Sequence, residues 1–298
     1  MLTKLQELQE IAKQKLKKTL ILAVAHDEHS LEAVHKAIEE NIINAILVGD
    51  EKKINEIASK LSIDISNSTI INELDNEKAV EIAVKKIHYG EASILMKGKV
   101  TTAILLKAVL NKEWGLRKGE LLSHFAIFEI EAYHKLIALA DGGMNIAPDL
   151  KAKASIISNS VEFLNKLGLK IPKVAVLCAV EIINEAMPAT LDAALLSKMS
   201  QRGQIKNCII EGPLAFDNAI NIEAAHNKNI YSEVAGDADL LIVPDIEAGN
   251  ILYKTLIFFS KAKVSSLVLG ATAPIVLTSR SDSEESKFNS IVLAAAID

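Results

Sequence analysis

"TLILAVAHDEHSLEAVHKAIEENIINAILVGD", residues 19–50, decides the fold. Thr19–Ala25 and Ala45–Gly49 are short apolar runs of strand length, and His29–Glu40 between them has the length and mixed polarity of a helix. A strand, a helix and a second strand at this spacing form a βαβ unit, and such units build mostly parallel sheets. "HDEH" at 26–29 falls between the first strand and the helix. It reads as the helix start, because a metal site on a H-x-x-H pair would need further ligands and a second shell.

The same alternation runs outward to the end of the chain. Further strand candidates are Ser93–Met96, Phe125–Glu129, Leu136–Ala140, Val174–Ala179, Cys208–Glu211, Leu240–Val243, Ser266–Leu269 and Ile275–Leu277. Helical patterns cover Lys52–Leu61, Glu77–Tyr89, Thr102–Asn111, Asp149–Leu167, Pro188–Arg202, Ile222–Lys228, Asn250–Ser260 and Ser283–Ala296. Ten strands are many for one sheet, so the reading expects two. Two strands with little between them occupy 125–140, and a loop-like stretch from Gly142 to Pro148 precedes a long helix. The expected boundary lies there: residues 1–141 with a returning helix at 280–298 form one α/β domain, and 142–279 form the other. A chain of 298 residues is consistent with about two domains.

Composition narrows the function classes. The formal charge is −5, from 33 basic and 38 acidic residues, and no basic block stands out, which argues against nucleic acid as a partner. Met1–Lys18, with Leu2, Leu5, Leu8 and Leu16 among Lys, Gln and Glu, reads as an amphipathic helix rather than a signal peptide. No apolar run approaches about 18 residues, so no membrane span is expected. Cys178 and Cys208 sit in apolar runs, as small buried hydrophobes in a reducing cytoplasm would. Of the basic residues only Arg117, Arg202 and Arg280 are arginine. Arginine's planar fork binds phosphate or carboxylate in a way lysine does not copy. In a lysine-rich chain each arginine is therefore a candidate anion contact, with a structural ion pair as the alternative.

Ligands of open parallel sheets bind outside the carboxyl ends of strands. Those exits are "GD" (49–50), "MKGKVTT" (96–102), "ADGGMN" (140–145), "EGPLAFD" (211–217), "VPDIEAGN" (243–250), "GATAP" (270–274) and "TSR" (278–280). In "MKGKVTTAILLK", Gly98 lets backbone approach a ligand, and Thr101 or Thr102 caps a helix whose free N–H groups favour an anion. Lys97, Lys99 and Lys107 add positive charge; an ordinary capped helix with solvated lysines is the plainer alternative. In "VPDIEAGNILYK", Asp245 and Glu247 fall in a loop and Gly249–Asn250 opens a helix, so Asp245 is either a cap or an orienting carboxylate. No G-x-G-x-x-G, no P-loop lysine and no nucleophile elbow is present.

Four segments carry a resemblance to a known family: "ADGGMNIAPDL" (140–150), "PATLDAALLSKMSQRGQIKNCIIEGPLAFDNAI" (188–220), "VAGDADLLIVPDIEAGNILYK" (234–254) and "APIVLTSRSDS" (273–283). From about residue 92 to the end the chain resembles the phosphate acetyl- and butyryltransferases, and "MPATLDAALLSKM" and "GPLAFDNAI" are more like the butyryl branch. The resemblance implies two three-layer α/β/α domains with mostly parallel sheets and an interdomain cleft, and a homodimer or higher oligomer. It implies transfer of a short acyl group between coenzyme A and inorganic phosphate, with no cofactor beyond the thioester substrate and no metal. The family's serine–arginine pair falls on Ser279 and Arg280. Arg280 would hold phosphate and the reacting carbonyl, and Ser279 would steady the coenzyme A thiolate. The Ser-Thr turn and following basic residue fall on Thr101, Thr102 and Lys107, while Asp245 and Asn250 are further substrate-binding candidates.

Two positions depart from the family. The acetyl branch has an aspartate seven residues after the serine, where this chain has Ser286; Asp282, Glu284 and Glu285 are nearby alternatives for a base. The butyryl branch tends to carry lysine where this chain has Thr272. The competing readings are acetyl-CoA as substrate, a metal- and nicotinamide-dependent decarboxylating dehydrogenase, which would need clustered aspartates, and a non-catalytic two-lobed ligand-binding protein.

Overall fold

The structure, a computed structural model, describes residues 2–278 and 282–297. The chain forms two compact units: Leu5–Glu120 with Ser265–Asp298, and Met1–Lys4 with Leu121–Val264. The divisions fall at 120/121 and 264/265, where the sequence puts them at 141/142 and 279/280. Hydrogen bonding across the sheet explains the difference, because strand partners distant in sequence decide which unit a segment joins.

The first unit opens with α1 (Leu5–Gln14), β1 (Lys18–Ala23), α2 (Glu28–Glu39), β2 (Ile43–Gly49), α3 (Glu51–Leu61), β3 (Thr69–Asn72), α4 (Asn76–His88), β4 (Ile94–Lys97) and α5 (Thr102–Val109). The second unit follows with β5 (Ser123–Glu129), β6 (Ile137–Ala140), α6 (Leu150–Lys166), β7 (Lys173–Leu177), α7 (Pro188–Gln201), β8 (Ile209–Leu214), α8 (Phe216–Ile220), α9 (Ile222–Asn227), β9 (Leu240–Ile242) and α10 (Ile246–Phe258). The chain then returns through β10 (Lys263–Leu269), β11 (Ile275–Val276) and α11 (Glu284–Ala295), which packs on α2 and α1.

Strand order in the first unit is β3-β2-β1-β4-β11-β10, all parallel except the β10–β11 pair. In the second it is β5-β6-β9-β7-β8, with only β5–β6 antiparallel. Leu20, Ile21, Leu22 and Ala23 are all buried, as are Ile137–Ala140 and Leu240–Ile242. Successive strand residues point to opposite faces, so each central strand is covered on both sides. That is the three-layer α/β/α arrangement. Most helices start at a short polar cap: Asp27, Asp50, Asp75, Asp149, Asn221 and Asp245 each accept a backbone N–H from the first turn.

Three expectations change. β3 is an extra strand at the edge of its sheet, partly exposed and without an apolar run to announce it. α10 begins four residues earlier than the sequence suggests, so Glu247 and Gly249 lie in its first turn and Asn250 directly after it. Gly212–Pro213 lie inside β8 rather than at its exit.

A polar network closes one end of the second unit. Buried Lys135 pairs with Asp239 at 2.6 Å and with Asp237 at 2.8 Å, and Asp237 also takes Lys173 at 2.6 Å and His134 at 2.8 Å. Burial pushes the Asp237 carboxyl up, but hydrogen bonds from Lys135, Lys173 and His134 outweigh it and hold it well below the usual carboxylate range. A depressed native pKa contributes stability that is full above the unfolded value of about 4 and is lost progressively as pH falls from there through the native pKa. Lys173→Met is expected to cost about 1 kcal/mol at pH 7, as a partly exposed ion pair does, and nearly as much at pH 4, because Asp237 is still ionised there in the folded protein. Denaturant unfolding at both pH values checks this; a cost that disappears at pH 4 would contradict it.

Candidate active site

In the first unit, β1, β4 and β11 are parallel neighbours, with Leu20 opposite Ile94 and Ile275 opposite Leu95. Their carboxyl ends share one edge, where His26–Asp27, Lys97–Thr102 and Thr278 come together. β10 runs the other way. Its exit at 270–274 lies at the opposite edge, where Thr272 N donates to Leu116 O and Ala271 bridges Arg117. "GATAP" thus does not join this site.

The exits of β1 and β4 interlock. Gly98 N donates to Ala23 O and Lys99 N to Val24 O, both at 2.9 Å. Val24 stands at φ +60°, a left-handed conformation costly for a β-branched residue. A Cβ on Gly98 would meet Val24 O at 2.2 Å and Ala23 O at 2.9 Å. The β1 carbonyls by themselves therefore require the glycine.

Lys97 is only 7% exposed, and its ammonium donates to Gly98 O and Val100 O at 3.3 Å. With these turn carbonyls held by Lys97, the next residue to act is Thr101. It caps α5, its hydroxyl accepting from Ile104 N at 3.4 Å. Thr101 and Thr102 are exposed, so the free N–H groups of this helix start face solvent. Lys107 is exposed in the last turn, about 7.5 Å further along the helix axis. It adds long-range positive charge rather than a contact at the helix start.

Thr278 is 2% exposed and Lys287, on the first turns of α11, is 5% exposed; Lys287 Nζ donates to Thr278 Oγ1 at 3.0 Å. Burial pulls the Lys287 ammonium below the usual lysine range, against the opposing charges of Asp27 and Asp282. Burial also pushes Asp27 up, but the hydrogen bond from the Ser30 amide, then the charges of Lys287 and His29, leave it below its ordinary value. His26 is lowered by burial and then by Lys53 and Lys99, which keeps its imidazole neutral at pH 7. Ser279 and Arg280 lie outside the described residues. The sequence reading passed over Lys287, although its spacing from Ile291 and Ala294 marked it for the buried face of α11.

In the second unit, β6 and β9 are parallel neighbours, and their exits pack closely. Asp245 caps α10, its Oδ1 accepting from Ala248 N at 2.9 Å. Exposed Asn250 donates to Gly142 O at 3.3 Å. A Cβ on Gly249 would meet Gly142 Cα at 2.9 Å, so the α10 start lies directly on the Asp141–Asn145 loop. Buried Asp141 holds that loop by accepting from Gly143 N and Met144 N at 2.9 Å. Asn250 thus meets the "ADGGMN" exit and Asp245 caps the same helix, while Thr101, Thr102 and Lys107 belong to the edge in the first unit.

Burial pushes the thiols of Cys178 and Cys208 up to about 11, so neither is a nucleophile at neutral pH. Among the described residues, no helix is long and apolar enough to cross a membrane.

The family model described as phosphate acetyl/butaryl transferase matches residues 4–87 and 76–295. A phosphate butyryltransferase of Clostridium beijerinckii is 50% identical over 280 residues, covering 94% of this chain and 93% of its own. A phosphate acetyltransferase of Thermotoga maritima is 47% identical over 291 residues, covering 98% of each. The crystal structure of a branched-chain phosphotransacylase from Enterococcus faecalis superimposes with a TM-score of 0.84 at 35% identity, over 94% of this chain and 98% of that one.

Proposed function

The chain belongs to the phosphate acetyl/butyryl transferase family, and from that premise we propose that it moves a short acyl group, butyryl by preference, between coenzyme A and inorganic phosphate. The observation that carries the siting of this reaction is the parallel register of β1, β4 and β11. It sets Thr278, the residue before Ser279 and Arg280, at the same sheet edge as the capped start of α5.

The chemical problem is a phosphate dianion attacking a thioester. Holding both substrates in line supplies much of the rate. Negative charge develops on the carbonyl oxygen and the leaving sulfur, so fixed donors must face both. In this proposal Arg280 forks onto phosphate and the oxyanion, the N–H groups at Thr101–Thr102 and the charge of Lys107 receive phosphate, and Ser279 donates to the sulfur. Asp245 and Asn250 shape a substrate-facing loop in the second unit. The thioester is already activated, so the chain's own groups suffice and no resident cofactor or covalent acyl-enzyme is required. A base matters mainly in reverse, for the thiol of coenzyme A. The proposal includes a homo-oligomer, and it places the reaction in the cytoplasm; the two unpaired thiols support that compartment.

Initial-rate kinetics tests direct attack. Double-reciprocal plots in acyl-CoA and phosphate are expected to intersect; parallel lines would indicate a covalent intermediate. Chain length tests the acyl group. Each buried methylene is worth roughly 0.8 kcal/mol, so butyryl-CoA is expected to exceed acetyl-CoA in kcat/KM by about tenfold or more. Equal efficiencies would place the enzyme with the acetyl-transferring members.

A further inference from the structure

Lys287 has no role in the reaction as described, yet its setting is costly. An ammonium with almost no solvent contact is expensive to bury, and an apolar side chain would fill the same space on α11 without that penalty. Its neighbours on the same helix, Phe288, Ile291 and Val292, are apolar and buried. The ammonium donates to Thr278 Oγ1, at 3.0 Å. Thr278 follows β11, and Ser283 caps α11, its hydroxyl accepting from Ser286 N at 3.2 Å. Only residues 279–282 separate these two anchors in the sequence. Asp27, at the exit of β1, faces the same ammonium with its charge.

We propose that Lys287 is a positioning residue for the acyl transfer: by binding Thr278 it ties the end of β11 to the start of α11, and so fixes both ends of the short link that contains Ser279 and Arg280. The inference rests on the acyltransfer reading above. Orientation is the main demand of that reaction, and a displacement of about 1 Å at a reacting group costs on the order of a hundredfold. A lysine is suited to the task because its long stem spans buried space and its ammonium donates to a neutral hydroxyl more strongly than a neutral group would.

The test compares Thr278→Val, which keeps the volume and removes the acceptor, with Thr278→Ser, which keeps the acceptor, alongside Lys287→Met and the Lys287→Met/Thr278→Val double variant. Phosphate-dependent release of coenzyme A from butyryl-CoA gives kcat and KM for both substrates, and thermal unfolding is followed in parallel. Thr278→Val and Lys287→Met are each expected to lower kcat by about tenfold to a hundredfold with KM for butyryl-CoA changed less than about threefold. The double variant should be no slower than the worse single one, because both remove the same bond, and Thr278→Ser should retain most of the turnover. If Lys287→Met does not fold, the Thr278→Val and Thr278→Ser pair decides. Wild-type kcat in Thr278→Val, accompanied only by a lower melting temperature, would overturn the proposal, as would losses that multiply in the double variant. Failure of the wild-type protein to show phosphate-dependent release would overturn the reaction itself, and this inference with it.

Discussion

Arg280→Lys is expected to lower turnover by about a hundred- to a thousandfold, the usual loss when one transition-state donor is removed, equivalent to roughly 3–4 kcal/mol. Lysine keeps the positive charge but not the planar fork that engages phosphate and oxyanion together. The melting temperature should not change, since the effect belongs to the transition state. Ser279→Ala is expected to cost less, about tenfold to a hundredfold, because it removes one neutral donor. Arg202→Lys serves as the control. Arg202 is the exposed residue that ends α7, where either cation complements the helix dipole. Steady-state kinetics of the three variants decides the point: equal effects at 202 and 280 would mean that Arg280 is an ordinary surface cation.

Gly98→Ala is expected to cost about 3 kcal/mol or more in unfolding free energy, with turnover falling in step. The new methyl would lie 2.2 Å from Val24 O and 2.9 Å from Ala23 O. Both are backbone atoms, so no rotamer change relieves the clash. The hydrogen bonds Gly98 N to Ala23 O and Lys99 N to Val24 O would open as the two strand exits separate. Gly143→Ala is the matched control: its nearest contact would be His124 at 3.4 Å, ordinary van der Waals distance, and the expected cost is within about 0.5 kcal/mol. Comparable denaturant midpoints for the two variants would contradict the interlocked exits.

Much of this was legible in the residues because the signals are local. The apolar runs around Leu20–Ala23 and Ile46–Val48 and the capping residues Thr101 and Asp149 each act within a few positions of the element they specify. The misreadings have physical causes of two kinds. Some local signals were ambiguous: Pro244–Asp245 looks like a loop, but Asp245 is a cap and the helix starts at the next residue. Others depend on long-range contacts that no window contains. Residues 121–141 join the second unit because β6 pairs with β9, a hundred positions on. Gly98 is a glycine because of the Val24 carbonyl, and Lys287 is a lysine whose partner is Thr278. The site residues Ser279 and Arg280 came from the resemblance to relatives, helped by the scarcity of arginine in the chain.

The central claim is that phosphate, not water, takes the acyl group. The most direct measurement is release of free thiol from butyryl-CoA by the purified protein, with and without inorganic phosphate, alongside quantification of the acyl phosphate formed. The account predicts release only when phosphate is present, with one acyl phosphate per coenzyme A. Thiol release at the same rate without phosphate would identify a thioesterase and contradict it.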